Sequence, residues 1–259
     1  MSKVSEVLQS NKAAGRGTLV GYFPAGYPTV EDSVNSLVAM AEGGCDVLEI
    51  GVPYSDPVMD GLVIQQATET ALTNGFRLNQ LFDVVSAVRE RVETPILIMS
   101  YWNPVLRYGV ERFANDLKQA GAQGMITPDL IPDEAASWLA ISDQLDLDRV
   151  FLVAPSSSDA RVSQNSDISK GFVYSVSTMG ITGERAKLDE LARSVVGRVK
   201  QVSDTPTCVG VGISTPEQVR EVNTYADGAI VGTAFVKAYQ SGGLEALRLK
   251  TKELALGLG

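Results

Sequence analysis

Apolar residues in this chain fall into eight short runs, separated by longer stretches in which they recur every three or four positions. The runs are Thr18–Tyr22, Val47–Ile50, Ile96–Ser100, Gly124–Thr127, Val150–Val153, Phe172–Val176, Thr207–Val211 and Gly228–Val231. They are strand-sized, rich in Val and Ile, and apolar almost throughout, the pattern of parallel strands covered on both faces. The intervening stretches read as helices. Val4–Lys12 precedes the first strand. Val30–Glu42, Val63–Thr73, Leu78–Arg91, Val110–Ala120, a segment from after Asp133 to about Leu145, Ala160–Asn165, Leu188–Val202 and Pro216–Tyr225 follow, and a last helix ends near Leu256. Thr29 is placed to cap its helix, with Glu31 and Asp32 at the positive end of the dipole. Gly43-Gly44 and Gly121 are stop signals, and Ser214 or Thr215 caps the segment from Pro216.

Eight successive strand–helix units predict an α/β fold, a single (β/α)8 TIM barrel with an extra N-terminal helix, as one domain over 1–259. The competing fold is a doubly wound open sheet. It would usually show a G-x-G-x-x-G turn after the first strand, and Gly21-Tyr-Phe-Pro-Ala-Gly26 does not match. No Ser/Gly-rich linker or low-complexity tract divides the chain.

Composition narrows the chemistry. Lys and Arg number 22 against 31 Asp and Glu, a net charge of −9, which argues against general binding of nucleic acid or an anionic membrane. There is no histidine. That excludes Ser-His and Cys-His nucleophiles and the usual zinc sites, so no metal is expected, and acid–base work falls to Asp, Glu, Tyr, Lys or Cys. The two cysteines, Cys45 and Cys208, fit no metal or redox spacing, as in a reduced cytoplasmic setting. Met1 to Ala14 lacks the pattern of a secretory signal, and no apolar run approaches the ~20 residues that span a bilayer.

In such a barrel the site lies at the carboxyl ends of the strands. Glu49 ends the second apolar run, and Asp60 lies in the loop after it. Glu49 is either a structural acid with a buried partner or one half of a proton-transfer pair with Asp60. Asp129 follows the fourth run as a loop anchor or partner contact, and Tyr174 lies in the sixth. Asp56, between Ser55 and Pro57, reads as a turn former or a partner-facing group. Glycine-containing loops at Gly180–Gly183, Gly210–Ser214 and Gly232–Ala234 follow the last three runs. The final two occupy the usual phosphate position of these barrels, and Thr233–Lys237 fits a helix whose N–H groups face an anion. The segment 177–187 is long for its place and suits a lid, with Thr182 the residue expected to join the site by hydrogen bonding Asp60.

The segment Glu49-Ile-Gly-Val-Pro-Tyr-Ser-Asp-Pro-Val-Met-Asp-Gly61 resembles the signature of the tryptophan synthase alpha subunit family. Gly21-Tyr-Phe-Pro-Ala-Gly-Tyr-Pro28, Met99-Ser-Tyr-Trp-Asn-Pro104, Pro128-Asp-Leu130, Gly171-Phe-Val-Tyr-Ser-Val-Ser177 with Gly180-Ile-Thr-Gly183, and Val209-Gly-Val-Gly-Ile-Ser214 are similar to other parts of that family, in the same order. The resemblance implies retro-aldol cleavage of indole-3-glycerol phosphate to indole and glyceraldehyde 3-phosphate. It implies no cofactor in this subunit, a beta subunit carrying pyridoxal phosphate, and an alpha2-beta2 assembly. By motif match it makes Glu49 and Asp60 the catalytic carboxylates. By the same match Tyr22 and Tyr174 are expected near the substrate, and Gly183, Gly212, Gly232 and Thr233 are expected to form the phosphate set. Thr233 stands where the family often has serine, which keeps the hydroxyl. Leu62 stands where proline is common, so the loop carrying Asp60 loses a fixed φ. The rival readings are another phosphate-binding barrel, which would usually show a strand-end lysine absent here, and a ligand-sensing subunit that activates a partner without chemistry.

Overall fold

The chain alternates strand and helix from Leu19 onward. The computed structural model describes residues 2–176, 185–210 and 212–259, without the side chains of 185–188. Its strands are β1 (Leu19–Pro24), β2 (Val47–Gly51), β3 (Ile96–Met99), β4 (Gly124–Thr127), β5 (Asp148–Val153), β6 (Val173–Val176), β7 (Thr207–Gly210) and β8 (Gly228–Val231). All neighbours are parallel, and β8 closes on β1 through the pairs Leu19–Ala229, Val20–Ile230 and Gly21–Val231. The helices are α1 (Lys3–Ala13), α2 (Val30–Gly43), α3 (Leu62–Thr73), α4 (Gln80–Arg89), α5 (Trp102–Tyr108), α6 (Val110–Ala120), α7 (Ala136–Gln144), α8 (Asp159–Ile168), α9 (Arg185–Val202), α10 (Pro216–Asn223) and α11 (Thr233–Ala255). The architecture is the expected TIM barrel with a helix ahead of β1.

Successive side chains of a strand point to opposite faces, so each strand serves two cores. One set, Val20, Val47, Leu97, Ile126, Val150, Phe172, Cys208 and Ile230, fills the barrel. The other, including Leu48, Ile50, Ile96, Ile98 and Phe151, packs under the helices against residues such as Leu37, Met40, Val84, Phe113 and Trp138. This is why the strands lack polar alternation. Val4 and Leu8 of α1 join the inner set, which seals the amino-terminal end of the barrel. Full burial of two such side chains stabilises by roughly 1.5–3 kcal/mol each. Ser5 Oγ donates to the Gly171 carbonyl at 2.9 Å and fixes how the helix sits.

Several boundaries differ from the sequence reading. β1 extends to Pro24, and β5 starts at Asp148. There Arg149 is satisfied by the Ile168 carbonyl, Ser142 Oγ and Asp143, so a polar residue is tolerated in the strand. α5 is a helix that the apolar spacing did not predict. Pro104 is the third helical residue, within the first turn, where a missing N–H costs nothing. α9 begins at Arg185, so the last three residues of the expected loop 177–187 are helical. Among the described residues no helix is long and apolar enough to cross a membrane.

Candidate active site

A cavity of about 250 Å³ opens at the carboxyl ends of the strands. Its lining includes Tyr22, Glu49, Asp60, Tyr174, Gly212, Gly232 and Thr233, brought from β1, β2, β6 and the segments after β2, β7 and β8. Glu49 is in phase with Val47, which points into the barrel, so the strand period alone places its carboxyl inside. It is 2% exposed, and its Oε2 is buried without a hydrogen-bond partner. A carboxylate so placed is costly to ionise. Burial, with the nearby charge of Asp60 adding to it, pushes Glu49 up to about 8.

Asp60 precedes α3, and its backbone carbonyl accepts from Gln65 Nε2 at 2.8 Å. Burial raises its carboxyl to about 6, and a hydrogen bond from Tyr101 acts against that rise. The two acids therefore share a cavity yet titrate apart. Tyr22 stands opposite Glu49 in the β1–β2 register. The two pocket tyrosines fit because glycine faces them. A Cβ on Gly51 would lie 2.2 Å from Tyr22 Oη, and one on Gly210 would lie 2.7 Å from Tyr174 Oη. Both phenols are pushed well above the ordinary tyrosine range, chiefly by burial, and stay neutral.

At the other side of the cavity α11 begins at Thr233, with Gly232 preceding it. Helix amino termini present unpaired N–H groups and the positive end of the dipole, the expected anion site. None of the described lining residues is Lys or Arg, so phosphate would be held by backbone and hydroxyl groups. Of the two caps considered for α10, Thr215 is the one: its side chain accepts from Gln218 N–H in a capping box. Thr182 and Gly183, with the rest of 177–184, lie outside the described residues.

Asp129 and Asp56 are not in the cavity lining. Asp129 Oδ1 accepts from the Trp102 N–H at 2.8 Å and so anchors the start of α5. Asp56 is exposed and accepts from Ser55 Oγ. Leu62 is the first residue of α3 and is 65% exposed. Sequence reasoning passed over Tyr101. Its signal was its position just past β3, the strand beside β2, which sets it against the loop carrying Asp60. Among the described residues no group of His, Cys, Asp and Glu could hold a metal ion.

Two unlike carboxyls, two tyrosines and a helix terminus in one barrel mouth suit acid–base chemistry on a phosphorylated aromatic. The family model for the tryptophan synthase alpha chain matches residues 8–256. The chain belongs to that family. The alpha chain of Leifsonia xyli is 55% identical over 257 residues, covering 99% of this chain and 98% of its own. A solved structure of Mycobacterium tuberculosis tryptophan synthase superposes with a TM-score of 0.94 at 50% identity, covering 99% of this chain and 98% of that one. The tryptophan synthase complex of Pyrococcus furiosus gives 0.84 at 34% identity, over 92% and 98%. As a tryptophan synthase alpha chain, the protein is a carbon–carbon lyase of tryptophan biosynthesis that cleaves indole-3-glycerol phosphate. The alpha chain needs no cofactor for this reaction.

Proposed function

We propose that Glu49 moves both protons of the cleavage and that Asp60 holds the charge on the indole nitrogen. The observation that carries this reading is the pair of unlike acids in one cavity: Glu49 buried with an unpartnered oxygen, Asp60 lining the same space from the loop after β2. Glu49, neutral at working pH, gives its proton to indole C3, and the ring becomes an indolenine-like cation. The ionised Asp60 accepts from the N–H that has become acidic. The carbon–carbon bond then breaks. Its electron pair returns to the ring as indole, and the hydroxyl on the adjacent carbon loses its proton to Glu49 and becomes the aldehyde of glyceraldehyde 3-phosphate. Glu49 ends protonated, as it began. Tyr22 and Tyr174 wall the indole, Thr182 joins the site by hydrogen bonding Asp60, and Gly183, Gly212, Gly232 and Thr233 receive the phosphate.

The protonation states required are Glu49 neutral and Asp60 charged. Indole release is therefore expected to fall below about pH 6 as Asp60 takes up a proton, and above about pH 8 as Glu49 loses its own. In Glu49→Gln it is expected to drop by at least ~10²-fold at every pH, in a chain that folds normally. A variant that kept more than about a tenth of the wild-type kcat would remove Glu49 from its role.

The partner in this reading is a beta subunit carrying pyridoxal phosphate, in an alpha2-beta2 assembly that receives the indole. The Pyrococcus furiosus protein is described as a complex. In this chain Val58, Leu62, Leu106 and Ile131 are exposed by 74%, 65%, 54% and 44%. They lie in the segments after three neighbouring strands, β2, β3 and β4, on the face where the site opens. Large apolar side chains grouped this way mark an interaction face. The reading also takes 1–259 as one domain working in the cytoplasm.

A further inference from the structure

Tyr101 is the second residue after β3, is 2% exposed, and does not line the cavity. Its hydroxyl accepts from the Met59 N–H at 2.9 Å, which sets it beside the carboxyl of the next residue, Asp60, whose titration it lowers. A phenol has one hydrogen, and with the oxygen accepting from Met59 that hydrogen is free to face Asp60. The ring is held on both sides. It packs on Tyr54 with centroids 5.4 Å apart, and Tyr54 Oη accepts from Asn103 Nδ2 at 3.0 Å. The next residue, Trp102, is pinned through its N–H to Asp129. The loop after β2 therefore rests on the loop after β3, which rests on the segment after β4. Tyr101 is the point where that stack meets Asp60.

The geometry points to Tyr101 as the positioning residue of Asp60, aiming its carboxylate into the cavity and keeping it charged. The inference rests on the role proposed above for Asp60. It explains how an acid on a loop can hold one orientation when Leu62 offers none of the stiffness of proline. The other ionisable groups around the pair, among the described residues, are Glu49 on β2, Tyr22 on β1, Tyr174 on β6 and Asp129 after β4. None is a cation. The Tyr101 hydroxyl is thus the group that opposes the effect of burial on Asp60, and its hydrogen bond favours the ionised carboxyl.

The test is indole release by the full chain from about pH 5 to about pH 9, in wild type, Tyr101→Phe, Tyr54→Phe and Asp60→Asn. Tyr101→Phe is expected to move the acid limb of kcat upward by about one pH unit. It should lower kcat about tenfold near neutrality with KM within about threefold, since substrate contacts are kept. Tyr54→Phe loses a hydrogen bond of the same loops but none to Asp60, and its acid limb should stay in place. An unmoved limb in Tyr101→Phe, whatever its kcat, overturns the inference, and so does an equal shift in Tyr54→Phe. Asp60→Asn with a wild-type kcat would instead overturn the role of Asp60 itself. Should Tyr101→Phe fail to fold, 3-fluorotyrosine at the same position replaces it. The more acidic phenol donates more strongly, so the limb must move down, and a limb that stays refutes the inference.

Discussion

Glu49 shows what it costs to keep a usable proton at neutral pH. Its carboxyl is pushed from 4.5 to about 8 chiefly by burial, so between those values the folded chain holds a proton that the unfolded chain has released. Stability falls as pH rises wherever the native state binds more protons. The contribution of this residue is therefore fully present below pH 4.5 and is lost as pH rises toward 8. Glu49→Gln has no such proton. Its melting temperature should match wild type near pH 4.5 and exceed it by several degrees, about 3 °C or more, near pH 8. Thermal melts across pH decide this, and a constant difference would contradict the linkage. Both acids were legible in the sequence, because an acid closing an apolar run is rare enough to notice. Their unequal titration was only partly legible. Burial of Glu49 follows from its place in β2, but the Tyr101 hydrogen bond on Asp60 joins residues 41 apart, and only the barrel order of β2 and β3 brings them together.

Strands and helices were read well where one period dominates. All eight strands came from apolar runs with ends off by at most two residues, and α6 came out as expected. α5 was not predicted: it is only seven residues long, and its Pro104 is accommodated in the first turn. α1 is the element whose role the sequence left unstated. Its amphipathic pattern predicts a helix but not that Val4 and Leu8 close the barrel. Leu8→Ala leaves a void among residues that cannot collapse inward, at a cost of about 2–4 kcal/mol. The expected result is a melting temperature roughly 5–15 °C lower, with kcat at 25 °C unchanged because the site is at the opposite end. Loss of activity without loss of stability would show that the plug reaches the site.

For the whole molecule, the comparison of surface and charge separates the partner from other ligands. A net charge of −9 leaves little to attract a polyanion, and exposed Leu106 and Ile131 favour a partner with an apolar face. Neither lines the cavity. Replacing both with serine is expected to raise the beta-subunit concentration for half-maximal activation by about tenfold or more. Indole release by the chain alone should stay within about twofold of wild type. A titration of activity with the partner tests this, and an unchanged midpoint would move the interface elsewhere. The sequence could name these residues but not place them on one face, since they meet only once three neighbouring strands are in a closed sheet.

That closed sheet has a bearing on traffic. Among the described residues the barrel is filled with apolar side chains from the bottom of the cavity down to α1. Among the described residues the base is closed, so substrate and fragments pass at the carboxyl end of the barrel. Indole, small and apolar, cannot be passed out through the base to a waiting enzyme. A recipient for indole has to dock at the carboxyl end, where the cavity opens.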